Sequence, residues 1–282
     1  MRSSSRGFTL VEMLIGLVLL GLVTTTIYRI LTTNQRLSRA QTEQVSLQSS
    51  VRTGALVVAS ELREIGINIA GGTDILAMSS SGITYRAMRS TALACQVSAT
   101  EVRLRLSHFY SSRQTIVPVQ DALLLFVEGD STTGSDDTWI TLPITAVNMG
   151  STCGAAPAVA LTTLIATPLT QILLDAPART FEVMELGIIN TGGLNWLGVR
   201  SVSSGTQPPL QPALGPIMAN GLELSYLNFA NNPTASMSEV RSIDITIRGE
   251  TDRTVRAGGV NTLALAQDSL SMRITLRNAP HP

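Results

Sequence analysis

Gly7-Phe8-Thr9-Leu10-Val11-Glu12 leads directly into an apolar run, Met13 to Val23, built only from Met, Leu, Ile, Val and Gly. From Phe8 to Leu31 there are 24 residues, about 36 Å of helix, enough to cross the hydrocarbon core of a bilayer with some tilt. Arg2 and Arg6 precede the run without a balancing acid, which places the short leader on the cytoplasmic side and exports the rest. A small-residue cut site after the run, the mark of an ordinary signal peptide, is missing, because Thr24-Thr25-Thr26-Ile27-Tyr28-Arg29 continues the helix. Glu12 is the odd residue. An acid in a span costs about 2.5–3.5 kcal/mol at mid-membrane and less near the interface, so it either sits at headgroup depth or has a partner of opposite charge.

Outward from this stretch, composition turns polar at Thr32-Thr33-Asn34-Gln35-Arg36, but helical periodicity persists. Apolar residues at Leu37, Ala40, Val45, Leu47, Val51, Ala55, Val58, Leu62 and Ile65 are mostly three or four apart, as on an amphipathic helix. Gly66 and Gly71-Gly72 supply the stop. The reading is one nearly continuous helix from Phe8 to Ile65, about 87 Å long. Gly16, Gly21 and Gly54 are its weak or close-packing points. A helix of this kind needs a sheet to cover the stripe on its second half.

That sheet is legible from Asn68 onward. Val102, Leu104 and Leu106 alternate with polar residues, as do Ile243, Ile245 and Ile247, and Met272, Ile274 and Leu276, which is strand periodicity with one wet face. Ala122–Glu128 reads as a buried strand. Gly82–Arg86, Trp139–Leu142, Thr180–Leu186, Trp196–Arg200 and Gly221–Phe229 are further strand candidates. The expected fold class is α+β: a long N-terminal helix packed on a C-terminal antiparallel β-rich head, the head forming two sheets. Val147–Gln171 and Ser203–Asn220, the second with Pro208, Pro209, Pro212 and Pro216, are expected as long surface connections.

Composition narrows function. The 20 basic residues balance 20 acidic ones, and aromatics are only 4%, so no basic, aromatic-interleaved surface for nucleic acid is expected. Every basic residue is Arg, which removes Schiff-base and P-loop lysines. There is no Gly-x-Ser-x-Gly elbow and no His-Glu-x-x-His pair, and neither an enzyme nor a cofactor is expected. Cys95 and Cys153 both fall in the exported part, where an even pair points to a disulfide closing about 59 residues; two separate thiols are the alternative. His108 follows the Val102–Leu106 strand on its apolar phase and is expected to be half-buried and structural. His281 lies in the tail. Glu128, Asp130, Asp136 and Asp137 share a Gly-rich loop, but the spacing is not that of an EF-hand. A solvated hairpin loop is expected there, with no metal.

The N-terminal hexapeptide, behind a basic leader and before an apolar run, resembles the signal of type IV prepilins and pseudopilins. The resemblance implies cleavage by prepilin peptidase between Gly7 and Phe8 and N-methylation of Phe8. It also implies that Glu12 serves filament assembly, by pairing with the terminal amine of a neighbouring subunit. Ser60-Glu61-Leu62-Arg63-Glu64-Ile65-Gly66 resembles the segment that closes the helix in PilW-type minor pilins. Gly221–Tyr226, Val240–Arg248 and Ser271–Asn278 are similar in order to the C-terminal half of those pilins and of the pseudopilin GspJ. The implied division is a leader at 1–7, a transmembrane part at 8–31, an amphipathic periplasmic part at 32–66 and a β-rich head at 67–282. The implied place is the bacterial inner membrane, single-pass, head in the periplasm or outside the cell, then a pilus or pseudopilus. The implied partners are prepilin peptidase, other minor pilins, major pilin or pseudopilins, the inner-membrane assembly platform and the lipid bilayer. The implied role is a minor subunit that primes or caps a type IV pilus. The alternatives are a GspJ-like pseudopilin of type II secretion, a DNA-uptake pilin and a membrane-anchored periplasmic enzyme.

Overall fold

The computed structural model describes residues 9–66, 73–111, 115–129, 132, 137–166, 172–203, 208–256 and 263–276. It opens with one helix, α1 (Leu10–Arg63, 54 residues), about 81 Å long. Thr9 caps it, and no residue before Leu47 is buried. From there Leu47, Val51, Gly54, Ala55, Val58 and Leu62 form the stripe that meets the head. Each large apolar side chain in that stripe contributes about 1.5–3 kcal/mol when fully buried, and Leu62 is 0% exposed.

The head contains β1 (Ile75–Ser79), β2 (Gly82–Val97), β3 (Glu101–Arg105), β4 (Tyr110–Ser111), β5 (Asp121–Val127), β6 (Thr138–Pro143) and β7 (Ala146–Cys153). It continues with β8 (Ala156–Thr162), β9 (Ala176–Thr191), β10 (Leu194–Ser201), β11 (Gln211–Leu227), β12 (Ser242–Arg256) and β13 (Leu263–Thr275). The two expected sheets are one hydrogen-bonded network. All 13 strands join it, in the order β13-β12-β11-β10-β9-β2-β3-β8-β7, with β1 and β4 on β2 and β5-β6 on β9. The reason is the length of β2 and β9, 16 residues each. They pair from Ile83–Leu186 to Ala94–Ala176 and so run through both ends of the head.

The expectation of two layers survives in a different form, as two cores. The helix core contains the α1 stripe with Ile83, Tyr85, Leu186, Leu197, Ile217, Leu224, Ile243, Ile245 and Ile247. The strand core contains Ala92, Ala94, Val102, Leu104, Leu123, Leu125, Val159, Leu161 and Ala178 and includes no residue of α1. A bulge at Met88/Ser90 switches the inward phase of β2 from Ile83, Tyr85 and Ala87 to Ala92 and Ala94. The extra residue keeps one face of the sheet apolar through both cores.

Two expected connections are strands. Within Val147–Gln171 lies the hairpin β7–β8, turned at Gly154 with φ +63°. Its Ala158, Val159, Ala160 and Leu161 are all buried; small residues fill a tight space there and leave no bulky alternation to read. Within Ser203–Asn220, β11 begins at Gln211 and contains Pro212 and Pro216. Its ladder is irregular beside them: the pairing with β10 shifts between Asn195 and Gly198, and that with β12 between Ile217 and Leu222. Proline is tolerated where a ladder is interrupted.

Candidate processing and assembly segment

The helix begins at Leu10, inside the stretch Gly7–Glu12. Gly7 and Phe8 lie outside the described residues. Thr9 and Glu12 form a reciprocal cap: Thr9 N–H donates to Glu12 Oε2 at 3.0 Å, Thr9 Oγ1 donates to the same oxygen at 3.1 Å, and Glu12 N–H donates to Thr9 Oγ1 at 3.3 Å. The Glu12 carboxylate is thus folded back onto the Thr9 cap at the start of the helix.

Beyond the cap the helix is long and apolar enough to cross a membrane, and none of that apolar window is buried in the protein. Leu10 is 79% exposed and Leu17 is 69% exposed. The hydroxyls of Thr24, Thr25 and Thr26 fold back onto the carbonyls of Leu20, Gly21 and Leu22 at 2.7–2.8 Å, which removes their demand for water. A side chain at Gly16 or Gly21 would touch nothing.

Gly54 is different. A Cβ there would strike the side chain of Leu214. Opposite it, a Cβ on Gly249 would come within 2.6 Å of Val51 and 2.7 Å of Leu47. The missing Cβ of Gly54 leaves room for the Leu214 side chain of β11, and that of Gly249 leaves room for the Val51 and Leu47 side chains of α1. At the helix end, the Gly66 N–H donates to Asp74 Oδ2 at 2.8 Å, the Asp74 N–H donates to the Gly66 carbonyl at 3.0 Å, and Arg86 lies 3.7 Å from Asp74 Oδ1. Asp74 is only 1% exposed. Burial pushes its carboxyl pKa up, against the opposing pull of the Gly66 N–H and Arg86.

A polar belt separates the two cores, and sequence reading missed it. Alternate residues of β9 from 176 to 188 read Ala, Ala, Thr, Glu, Met, Leu, Ile. The apolar ends face the cores and Thr180 and Glu182 lie buried between them. Arg89 Nε donates to Glu182 Oε2 at 3.0 Å, Gln120 also donates to Glu182, and Ser90 and Thr180 share a hydrogen bond of 2.6 Å. Arg89 also stands 3.8 Å from Glu61, and the Tyr85 hydroxyl donates to Glu61 at 3.4 Å. The belt therefore reaches the last turns of α1. The available signal was Thr180 and Glu182 on the inward phase of an otherwise apolar strand.

Cys95 and Cys153 are joined by a disulfide, their Cα atoms 6.1 Å apart, tying the far end of β2 to edge strand β7. His108 corrects its expectation. The strand ends at Arg105, His108 sits in the short 3-10 turn Leu106–His108, and its ring is exposed beside Ser107 Oγ at 2.9 Å. His281, Asp130 and Asp136 lie outside the described residues; Asp137 Oδ1 accepts from the Gly129 N–H at 3.4 Å. Among the described residues no group of three or more His, Cys, Asp or Glu is placed to hold a metal.

Residues 2–28 match the family model of the prokaryotic N-terminal methylation motif. No curated protein and no solved structure matches the chain. The motif spans the leader, the Gly7–Phe8 junction, Glu12 and most of the exposed apolar helix, and the last third of that helix is packed on an antiparallel β head, which together support a type IV pilin-like protein.

Proposed function

We propose that the chain is a minor pilin subunit which, after prepilin peptidase has cut between Gly7 and Phe8 and Phe8 has been methylated, primes or caps assembly of a type IV pilus. The observation that carries this reading is the methylation motif placed on a helix whose first 37 residues, Leu10 to Ser46, include no buried position. Such a stem is stable in lipid, with 8–31 spanning the inner membrane and the head outside it. It is equally stable against the stems of neighbouring subunits, because both environments cover apolar surface. The work is mechanical rather than catalytic. The chain carries 20 basic residues against 20 acidic, with no excess of positive charge in the head, so DNA capture is not part of this reading.

Glu12 gives the transfer its register. In the uncut chain its carboxylate is occupied by Thr9. Once the cut frees the amine of Phe8, a neighbour's amine offers a full positive charge, and a buried acid is tolerated where an opposite charge meets it. Replacing Gly7 with Leu should leave the leader attached, read by intact mass. Glu12→Ala should be processed normally yet enter filaments at least about tenfold less, which corresponds to about 1.4 kcal/mol of lost pairing. Full incorporation of that variant would defeat the assigned role. Loss of protein secretion with intact piliation, on deleting the gene, would move the chain to a type II secretion pseudopilus.

A further inference from the structure

The start of β11, Gln211–Pro216, is held to the head differently from the rest of that strand. β12 pairs with β11 only from Ile217 onward. On the other side the ladder to β10 runs through Gln211–Val199, Pro212–Gly198 and Leu214–Leu197, and its register shifts on both sides of the Leu214–Leu197 pair. Pro212 and Pro216 bring no N–H to either ladder. Gln211, Pro212 and Ala213 are exposed. A segment paired along one edge only, through an irregular ladder, belongs to the low end of local stability.

Nor does this segment lie flat on α1. Gly215 and Pro216 face Ser46 and Ser50 across a cleft of 90 Å³. Ala213 and Leu214 face Thr53, Val57 and Val58 across a crevice of 120 Å³. Between these two spaces the Leu214 side chain fills the hollow left by Gly54, where a Cβ would strike it. Leu214 is therefore the pin that holds the segment to the helix. Tyr85, 3% exposed, lines the same crevice, and its hydroxyl donates to Glu61 at 3.4 Å. The crevice thus reaches the contact through which α1 meets the polar belt.

We propose that Gln211–Pro216 is a strap. It swings out on its ladder with β10 when Leu214 leaves the Gly54 hollow, and it opens the side of the helix core beside Val58 and Tyr85 while α1 and β12 stay packed. Opening lets water reach the Tyr85–Glu61 contact and loosens α1 from the belt; closing restores the tie. Two valines of α1, each 2% exposed, test this: Val58 lines the crevice, whereas Val51 packs beside Gly249. The full chain in detergent micelles, with Cys95 and Cys153 joined, receives one free thiol as Val58→Cys or Val51→Cys, and the rate of maleimide labelling is measured. A local element opens more often than the core it covers, so the thiol at 58 should react at least about tenfold faster than the thiol at 51. Leu214→Ala removes the pin and should raise the rate at 58 about tenfold further, as for a half-buried leucine cut back to its Cβ, with the rate at 51 unchanged. Leu214→Met, which keeps a side chain in the hollow, should hold the rate at 58 near that of the parent. Equal rates at 58 and 51 in the parent, equal acceleration of both by Leu214→Ala, or no acceleration at 58 would each overturn the strap.

Discussion

The two cores of the head are held by different means. The helix core is closed by α1, so one side of it belongs to the element that also carries the processing motif. The strand core is closed by strands and their connecting segments, without α1, and is tied by the Cys95–Cys153 bridge. Force or displacement on the stem acts first on the helix core. The polar belt of Arg89, Glu182 and Glu61 then stands between that core and the rest of the head. The difference teaches that the head is not one passive block on a stick: one part is an extension of the helix, and the other is a separately closed module.

Breaking the belt should have the largest effect. Glu182→Ala removes the buried carboxylate to which Arg89 and Gln120 both donate and should cost about 3–5 kcal/mol, with amide exchange in β2 and β9 rising on both sides of the belt. Equal stability to wild type would show that the cores are not coupled through it. Next, Cys95→Ser with Cys153→Ser removes a tie worth up to about 4 kcal/mol in the loop-entropy model. Exchange should accelerate in β7 and β8 while β12 keeps its protection; uniform acceleration would mean one cooperative unit. Gly249→Val pushes against Val51 and Leu47 and should cost about 1–3 kcal/mol, confined to α1 after Leu47 and to β11–β13.

The smallest effect is a pH dependence at the helix end. The folded pKa of Asp74 is raised above its ordinary value of 3.8 by burial. The folded protein therefore holds that proton more tightly than the unfolded chain, and the contribution is full below the ordinary value and lost as pH rises through the folded one. Asp74→Asn, which keeps an acceptor for the Gly66 N–H, should therefore gain stability relative to wild type as pH rises from about 4 toward neutrality. A constant difference across that range, read from thermal unfolding in detergent, would remove Asp74 as the titrating group.

Much of this was readable in advance because it rests on local chemistry. The spacing of Leu47, Val51, Val58 and Leu62 and the alternation of Ile243, Ile245 and Ile247 each name the face that must be covered. The processing motif is a contiguous stretch, legible without any fold. β8 escaped notice because its consecutive buried residues, Ala158 to Leu161, give no alternation, β7 because most of its side chains are exposed, and the first half of β11 because its prolines read as punctuation, while its second half was expected as Gly221–Phe229.

What the amino-acid sequence by itself determined is the one-dimensional part: an apolar stem with an acid at Glu12, a stop near Gly66 and a run of alternating segments after it. Only the tertiary structure decided that the strands form a single sheet with two cores, that Glu182 and Arg89 meet between them, and that the hairpin starting at Ser242 packs beside α1. These depend on which distant residues pair, and pairing is chosen by the summed burial and hydrogen bonding of the whole sheet rather than by any local pattern.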